Sequence, residues 1–389
     1  MKENTLGKPC EKRSGFPAFA GKKTVALKDT CVLIMGQSPS SESYNVNGKG
    51  LPFYQGNADF GEDNPTPRSW CTDPKKIAEK GDILISVRAP IGAINIANER
   101  CCIGRGIAAI RPNQDLTSTN FLRHQLSASR SKLEAMGTGS TFKAIGKKAL
   151  SDFAIALYSK SEQEVIVHQL DCIAAQIKAA NNQLIRFDAL IKSRFIEMFG
   201  DPIENPKGWR SSSLKEVAPA KGDPVPDKGT VWSLGLDAVE AGTGMILRKD
   251  IAKADSLKSS NIGFSARHVL YSKLRPYLNK VVLPEEIGVC TTELLPLLPN
   301  QSELNRVYLC YLLRSDSFVS FISGHTNGAK MPRADMNTLN SFGVSIPPLA
   351  LQQEFADFVS QVDKLRFAVQ QQIDRLEMLK KSLLQEYFS

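Results

Sequence analysis

Residues able to do chemistry are present in this chain, but not at the spacings that chemistry requires. A phosphate-cradling loop needs Gly, four residues, then Gly-Lys-Ser/Thr, so that amides and a hydroxyl converge on phosphate and magnesium. Gly15 to Lys23 only imitates it, with Gly21 one position late and Lys23 in place of the hydroxyl. Adenosylmethionine-dependent amino-methyl transfer would carry a Phe-x-Gly-x-Gly loop and an Asp/Asn-Pro-Pro-aromatic motif. Neither occurs, and Pro347-Pro348 reads as a helix stop. His124, His168, His268 and His325 stand singly, with no Ser/His/Asp order around them. Asp59, Glu62 and Asp63 read as a solvated acidic loop rather than a metal cluster. The eight cysteines include no Cys-x-x-Cys, so neither zinc nor a disulfide framework is supported and reduced structural thiols are expected. What remains is a set of basic and hydroxyl residues beside turns: Arg88, Ser140, Thr141, Lys143, Arg275, Lys330 and Arg333. Such side chains suit nucleic-acid phosphates, although an ordinary surface role stays open for each. No catalytic residue and no metal site is expected.

The elements that must position these residues begin with one long helix. From Ser161 to Phe199 apolar residues recur at Ile166, Leu170, Ile173, Ile177, Ala180, Leu184, Phe187 and Ile191, in alternating steps of four and three. That spacing draws one apolar seam along a helix. About 34 residues at 1.5 Å each make a rod of roughly 50 Å, which needs a partner. The partner is C-terminal. Phe355, Val359, Val362, Val369, Ile373 and Leu376 stand 189 residues after seam positions, Arg366 and Lys380 are the two seam positions that turn basic, and Leu383 extends the seam. The helix ends also match, Lys192-Ser193-Arg194-Phe195-Ile196-Glu197-Met198-Phe199 aligning with Lys381-Ser382-Leu383-Leu384-Gln385-Glu386-Tyr387-Phe388.

The rest of the chain repeats at a similar offset. Residues 1–23 read as an N-terminal arm, 24–157 as a first globular unit, 158–205 as the central helix with its linker, 206–346 as a second unit and 347–389 as the C-terminal helix. The clearest strand of the first unit is Asp82 to Arg88, stopped by Ala89-Pro90, with a helix expected over Asn120 to Ala135. In the second unit Val269 to Pro276 answers Leu84 to Pro90 with one inserted residue, and Asn305 to Phe321 reads as the matching helix. Composition fits a soluble protein of two domains: 389 residues, 42% hydrophobic and 23% charged. No apolar run approaches the roughly 18 residues that cross a bilayer, so a cytoplasmic location is expected. The net charge is +9. Each long helix is about −1, so the globular units hold the basic surplus and could face phosphates.

Two diverged basic units, each followed by a long helix ending like Lys-Ser-x-x-x-Glu-x-Phe, resemble the specificity subunit of type I restriction-modification systems. Leu27 with Gly36-Gln37-Ser38-Pro39 is similar to that family's module opening, and Asp82 to Arg88 to its central strand. Gly139-Ser140-Thr141, then Phe153 to Leu157 and Glu162-Gln163, is similar to its exit into the first spacer helix. The second copy departs, with Gly328-Ala329-Lys330 for Gly-Ser-Thr and Gln352-Gln353 for Glu-Gln. The resemblance implies an α+β fold: two target recognition domains separated by two long antiparallel coiled-coil helices. It implies that each domain reads one half of a bipartite DNA target, and that the helices hold them at a set spacing. Two methyltransferase subunits would dock on the helices, carrying the S-adenosylmethionine that this chain is not expected to bind, and restriction/translocase subunits would join them. Two other classes stay open: a self-sufficient DNA methyltransferase, and a coiled-coil scaffold that binds only proteins.

Overall fold

The computed structural model describes residues 22–139 and 143–389. All but the last two residues of the expected arm lie outside the described residues, as do Ser140 and Thr141. The chain forms two units, one of residues up to Ala179 together with Ile373–Ser389, the other of Ala180–Gln372. Both mix helix and sheet, and each takes part of both long helices, Lys160–Phe199 and Leu349–Phe388.

Unit 1 opens with the strand Lys23–Ala26, which pairs antiparallel with Ala154–Leu157 and so ties the entry of the unit to its exit. A four-stranded antiparallel sheet follows in the order Cys31–Met35, Ile107–Pro112, Ile83–Ser86, Ile94–Ile96. All of Ile83–Ser86 is buried. Ile83 and Ile85 pack with Leu27, Leu122, Leu126 and Leu133, while Leu84 packs with Tyr54, Ile107 and Ala109. Because both faces are covered, the strand reads as a continuous apolar run rather than an alternation. The buried Asp82 carboxylate at its start accepts two 2.8 Å bonds from Arg111, whose partly exposed guanidinium pairs the buried charge. A second sheet runs Tyr44–Asn45, Ser69–Cys71, Leu51–Tyr54, Cys101–Ile103, Ile77–Ala78.

Unit 2 repeats the frame. Arg210–Ser213 pairs with Gly343–Ile346 as entry and exit. Its buried central strand Val269–Ser272 lies between Val281–Val282 and Leu294–Leu297. A four-stranded sheet runs Asp250–Lys253, Thr230–Leu234, Gly288–Cys290, Ile262–Phe264.

Each helix expected inside a unit is in fact two. Thr119–Ala128 ends at Ser129 before Arg130–Ala135, and Arg306–Arg314 ends at Ser315 before Asp316–Ser323. Both breaks fall on serine, a residue whose hydroxyl can compete for backbone groups, although Ser129 makes no side-chain cap bond and only Ser315 does. Ser315 shows how, accepting the Phe318 N–H at 3.3 Å as the cap of the second segment. The apolar spacing carries on across the turn, which is why the sequence alone shows one helix.

The long helices are joined to the sheets by a matched pair of glutamines. Gln163 is buried, its Oε1 accepting the Ser118 N–H at 3.0 Å and its amide donating to Leu116 O at 2.8 Å and Tyr158 O at 2.9 Å. Gln352, 189 residues on, does the same with Asn305 N, Glu303 O and Pro347 O at 2.8, 2.9 and 2.8 Å. The equivalent of Glu162 is therefore Leu351, and Gln352 answers Gln163. In unit 1, Ile166, Leu170 and Ile173 pack with Phe121, Leu383, Tyr387 and Phe388, and Ile177, Leu376 and Leu384 lie at the edge. In unit 2, Ile191, Phe195 and Phe199 pack with Tyr308, Phe355, Val359 and Val362. There the helices run antiparallel, Asp188 pairing with Arg366 and Arg194 with Glu354. The ion pair to Asp188 explains why the seam tolerates a basic residue at Arg366. Ala180, Val369 and Ile373 are also buried, whereas Leu184 and Phe187 are half-buried.

Candidate nucleic-acid interface

In unit 1 the central strand ends in Val87-Arg88-Ala89, and two other segments close on that end. Val87 N–H donates to Gly106 O at 2.9 Å from one side, while Ile145 N–H donates to Val87 O at 2.9 Å from the other. Ala89 N–H donates to Lys143 O at 3.2 Å, and the segment containing Lys143 returns to Thr138 through a reciprocal pair of 2.9 Å bonds between Thr138 and Ala144. Backbone bonding thus brings together Arg88 and Lys143, which lie 55 residues apart in sequence. Ser140 and Thr141 belong to the same connection but lie outside the described residues.

Unit 2 builds the same junction. Lys273 N–H donates to Glu293 O at 3.0 Å, Ala334 N–H to Lys273 O at 2.8 Å and Arg275 N–H to Pro332 O at 2.7 Å. A short hairpin, Thr326–Asn327 with Arg333–Ala334, presents Lys330 in its loop. Arg275, Lys330 and Arg333 therefore converge as Arg88 and Lys143 do. These bonds also correct the register. Ser86-Val87-Arg88-Ala89-Pro90 is matched by Ser272-Lys273-Leu274-Arg275-Pro276 with no insertion, so Arg88 answers Leu274, and Arg275 answers Ala89. The two arginines sit one position apart on the same frame.

Their electrostatics differ. Arg333 is held by Glu293, with Nε at 3.1 and 3.2 Å and Nη2 at 2.8 Å from its oxygens, and this pairing raises its pKa above the ordinary arginine value. Arg88, Lys143, Arg275 and Lys330 are exposed, and their side chains make no ion pair among the described residues. Cations without internal partners are free to neutralise phosphate, while a neutralised one is not.

Beside the unit 1 junction is a recess of about 360 Å³ lined by Gln55, Asn57, Asp59, Ser69, Arg88 and Gly106 among others. Asp59 accepts the Gln55 N–H at 2.8 Å, and Arg68 approaches it at 3.9 Å. Gln55, Asn57 and the neighbouring Arg105 were not singled out by the sequence. The available signal is Gly104-Arg105-Gly106, an arginine between two glycines where a β-like run begins.

The groups considered for chemistry are engaged elsewhere. Glu62 pairs with Lys178 at 2.7 Å and Asp63 with Arg123 at 3.2 Å. Among the described residues no group of three or more His, Cys, Asp or Glu could hold a metal ion. His268 is buried, accepting the Ser265 N–H at 3.1 Å through Nδ1 and donating to Lys221 O at 2.9 Å through Nε2. His325 bonds Phe321 O at 2.8 Å, and exposed His168 lies 3.7 Å from the Cys172 sulfur. His124 lies 2.7 Å from Asp171; burial pulls its pKa below the ordinary value, against the opposing pull of that carboxylate. The seven cysteines among the described residues are free thiols.

Comparison with known proteins bears on the repeated frame. The chain matches the profile of the type I restriction modification DNA specificity domain over residues 20–186 and again over 206–378. The type I restriction enzyme EcoDI specificity subunit of Escherichia coli is 24% identical over 410 aligned positions, covering 94% of this chain and 87% of the relative. The MjaX specificity subunit of Methanocaldococcus jannaschii is 46% identical over 141 residues, which are 36% of this chain and 33% of that protein. The chain thus spans about a third of the length of that relative. The crystal structure of a type I restriction-modification S subunit from M. genitalium matches over 98% of both chains, with a TM-score of 0.56 at 14% identity, a likeness of fold.

Proposed function

Since the chain belongs to the type I restriction modification DNA specificity family, we propose that it is the sequence-specific DNA-binding subunit of such a complex, each unit reading one half of a bipartite duplex target. The observation that carries this reading is the repeated junction. In each unit cations that make no ion pair among the described residues, Arg88 and Lys143 or Arg275 and Lys330, converge at the end of the central strand on a frame whose surrounding residues differ between copies. A shared frame with different side chains suits two readers of different base sequences, and the net charge of +9 suits the common phosphate backbone.

On this reading the chain performs no chemistry itself. Two methyltransferase subunits supply S-adenosylmethionine and methyl transfer, and restriction/translocase subunits complete the assembly in the cytoplasm. Among the described residues no helix is long and apolar enough to cross a membrane. The methyltransferases would dock on the long helices, whose outward apolar residues include Ile185, Phe367 and Met378, about two-thirds exposed. Isolated apolar residues on a surface need no explanation, but several on two adjoining helices suit a protein partner.

The test is to purify the chain with the methyltransferase encoded beside it and sequence the methylated sites. A bipartite target with a fixed spacer is expected, and exchanging residues 24–157 for those of a relative should change one half only. Methyl transfer by the chain alone, or a target without two separable halves, would overturn the proposal.

A further inference from the structure

The backbone of the turn Gly104–Ile107 of unit 1 is bonded on both sides, with an arginine between its two glycines. Gly104 N–H donates to Tyr54 O at 2.8 Å and Gly106 N–H to Gln55 O at 3.1 Å, while Gly36 N–H and Gln37 N–H donate back to Ile107 O and Ile103 O at 2.9 and 3.0 Å. A Cβ on Gly106 would collide with the Gln55 carbonyl, and one on Gly104 would lie 3.2 Å from Gln55 Cα and the Phe53 ring. Both glycines are buried, whereas Arg105 between them is exposed and makes no side-chain ion pair among the described residues. The bond from Val87 to Gly106 sets this turn against the Arg88 junction, so Arg88 and Gly106 line the recess that contains Gln55, Asn57 and Asp59, and Arg105 is the residue next to Gly106.

We propose that Arg105, with Arg88 beside it, reads guanine in the half-site of unit 1, an inference that rests on the DNA-recognition reading above. Three observations favour a base edge over phosphate. A guanidinium on a locked backbone can present its fork to O6 and N7 of guanine, whereas a phosphate contact needs no such fixed geometry. The recess offers amide side chains, Gln55 and Asn57, which can pair with the edges of neighbouring bases. It also contains the Asp59 carboxylate, which repels phosphate but can accept from a cytosine or adenine amino group. Unit 2 has no such arginine: its matching turn is Thr291-Thr292-Glu293, with Glu293 already held by Arg333. Guanine recognition by this route therefore belongs to unit 1 alone.

The experiment uses the full chain in its methyltransferase complex, on duplexes carrying the target found by sequencing methylated sites. Each guanine of the unit 1 half-site is replaced in turn by 7-deazaguanine, which lacks the N7 acceptor. At one position wild-type binding should weaken between about 2- and 12-fold, half the free energy of one bidentate base contact, since O6 remains. Arg105→Ala should already be weakened and show no further loss there, and Arg105→Lys should keep non-specific affinity yet lose the discrimination. The half-site of unit 2 should be read as before. Uniform weakening of every sequence with a shallower salt dependence would place Arg105 on phosphate and overturn the inference while leaving the DNA-recognition reading intact. The same holds if the variants discriminate guanine like wild type. Absence of any bipartite target would overturn both.

Discussion

Replacing Gln352 by alanine should unfasten unit 2 from the C-terminal helix. The side chain is fully buried and makes three hydrogen bonds of 2.8 to 2.9 Å, one from Asn305 N–H and two to the carbonyls of Glu303 and Pro347. At about 1 kcal/mol net per bond the loss is about 3 kcal/mol, and the orphaned Asn305 amide brings it to between about 3 and 5. That is a large part of the roughly 5 to 15 kcal/mol that stabilises a domain. Gln163→Ala should cost unit 1 about as much, since it removes the same three contacts with Ser118, Leu116 and Tyr158. Hydrogen exchange at the Asn305 and Ser118 amides gives the local opening free energy, and urea unfolding of the full chain gives the larger transition. Gln352→Glu separates lost bonds from lost volume. It keeps the shape but turns an oxygen toward two carbonyls, so its carboxyl must have a raised pKa in the folded chain. The stability of that variant should be greatest below the ordinary glutamate pKa of about 4.3 and be lost as pH rises through the raised value. A loss below about 1 kcal/mol for Gln352→Ala, with Asn305 still protected, would refute the reasoning.

Four further outcomes are expected. Leu170→Ala should cost about 2 to 5 kcal/mol and half-buried Leu184→Ala clearly less; equal losses by urea unfolding would mean that the seam is not packed as its burial indicates. Lys143→Ala or Lys330→Ala should weaken binding to every duplex and flatten the slope of log affinity against log salt by about one unit; an unchanged slope removes that lysine from the interface. Inserting one heptad between Ala179 and Ala180 and another between Gln372 and Ile373 lengthens each helix by about 10 Å, close to three base pairs. Those base pairs rotate the second half-site by roughly 100°, so the complex should prefer a spacer up to about three base pairs longer or lose specific binding; undiminished methylation at the original spacer excludes a ruler role. Because His124 has a lowered pKa in the fold, it contributes stability above about pH 6.5 that is lost as pH falls toward its folded value. His124→Phe should reduce that acid sensitivity, measured as the unfolding midpoint between about pH 7.5 and 5.5, and an unaltered slope would show that another group carries it.

The long helices and central strands were legible because burial on a regular element writes a period into the sequence. Ile166 through Ile191 shows the helical one, and Ile83 to Ser86 the unbroken run of a strand covered on both faces. The breaks at Ser129 and Ser315 were not legible, since the apolar spacing continues across them and only local backbone bonding decides. The register between Arg88 and Arg275 was misplaced because similarity of residue type favours aligning the two arginines. The backbone bonds of Val87 and Lys273 fix it instead. Convergence of Arg88 with Lys143, or of Arg275 with Lys330, is a tertiary fact with no local signature. Arg105 escaped for a related reason, because buried glycines matter only through the Gln55 and Phe53 atoms that they let approach.

Unit 1 is closed by the last residues of the chain, and this has a consequence in time. Ile166, Leu170 and Ile173 are covered by Leu383, Tyr387 and Phe388, which are synthesised about 200 residues later, some 10 to 40 s at ordinary rates of translation. Unit 2, whose residues Ala180–Gln372 are contiguous, is made in full within that interval. The half begun first is thus the half finished last, and its helix offers a bare apolar stripe to the cell until the ribosome reaches Phe388. A message broken after Gln372 would yield a chain with all of unit 2 and a permanently uncovered unit 1, a product marked for chaperones and proteases by the stripe itself.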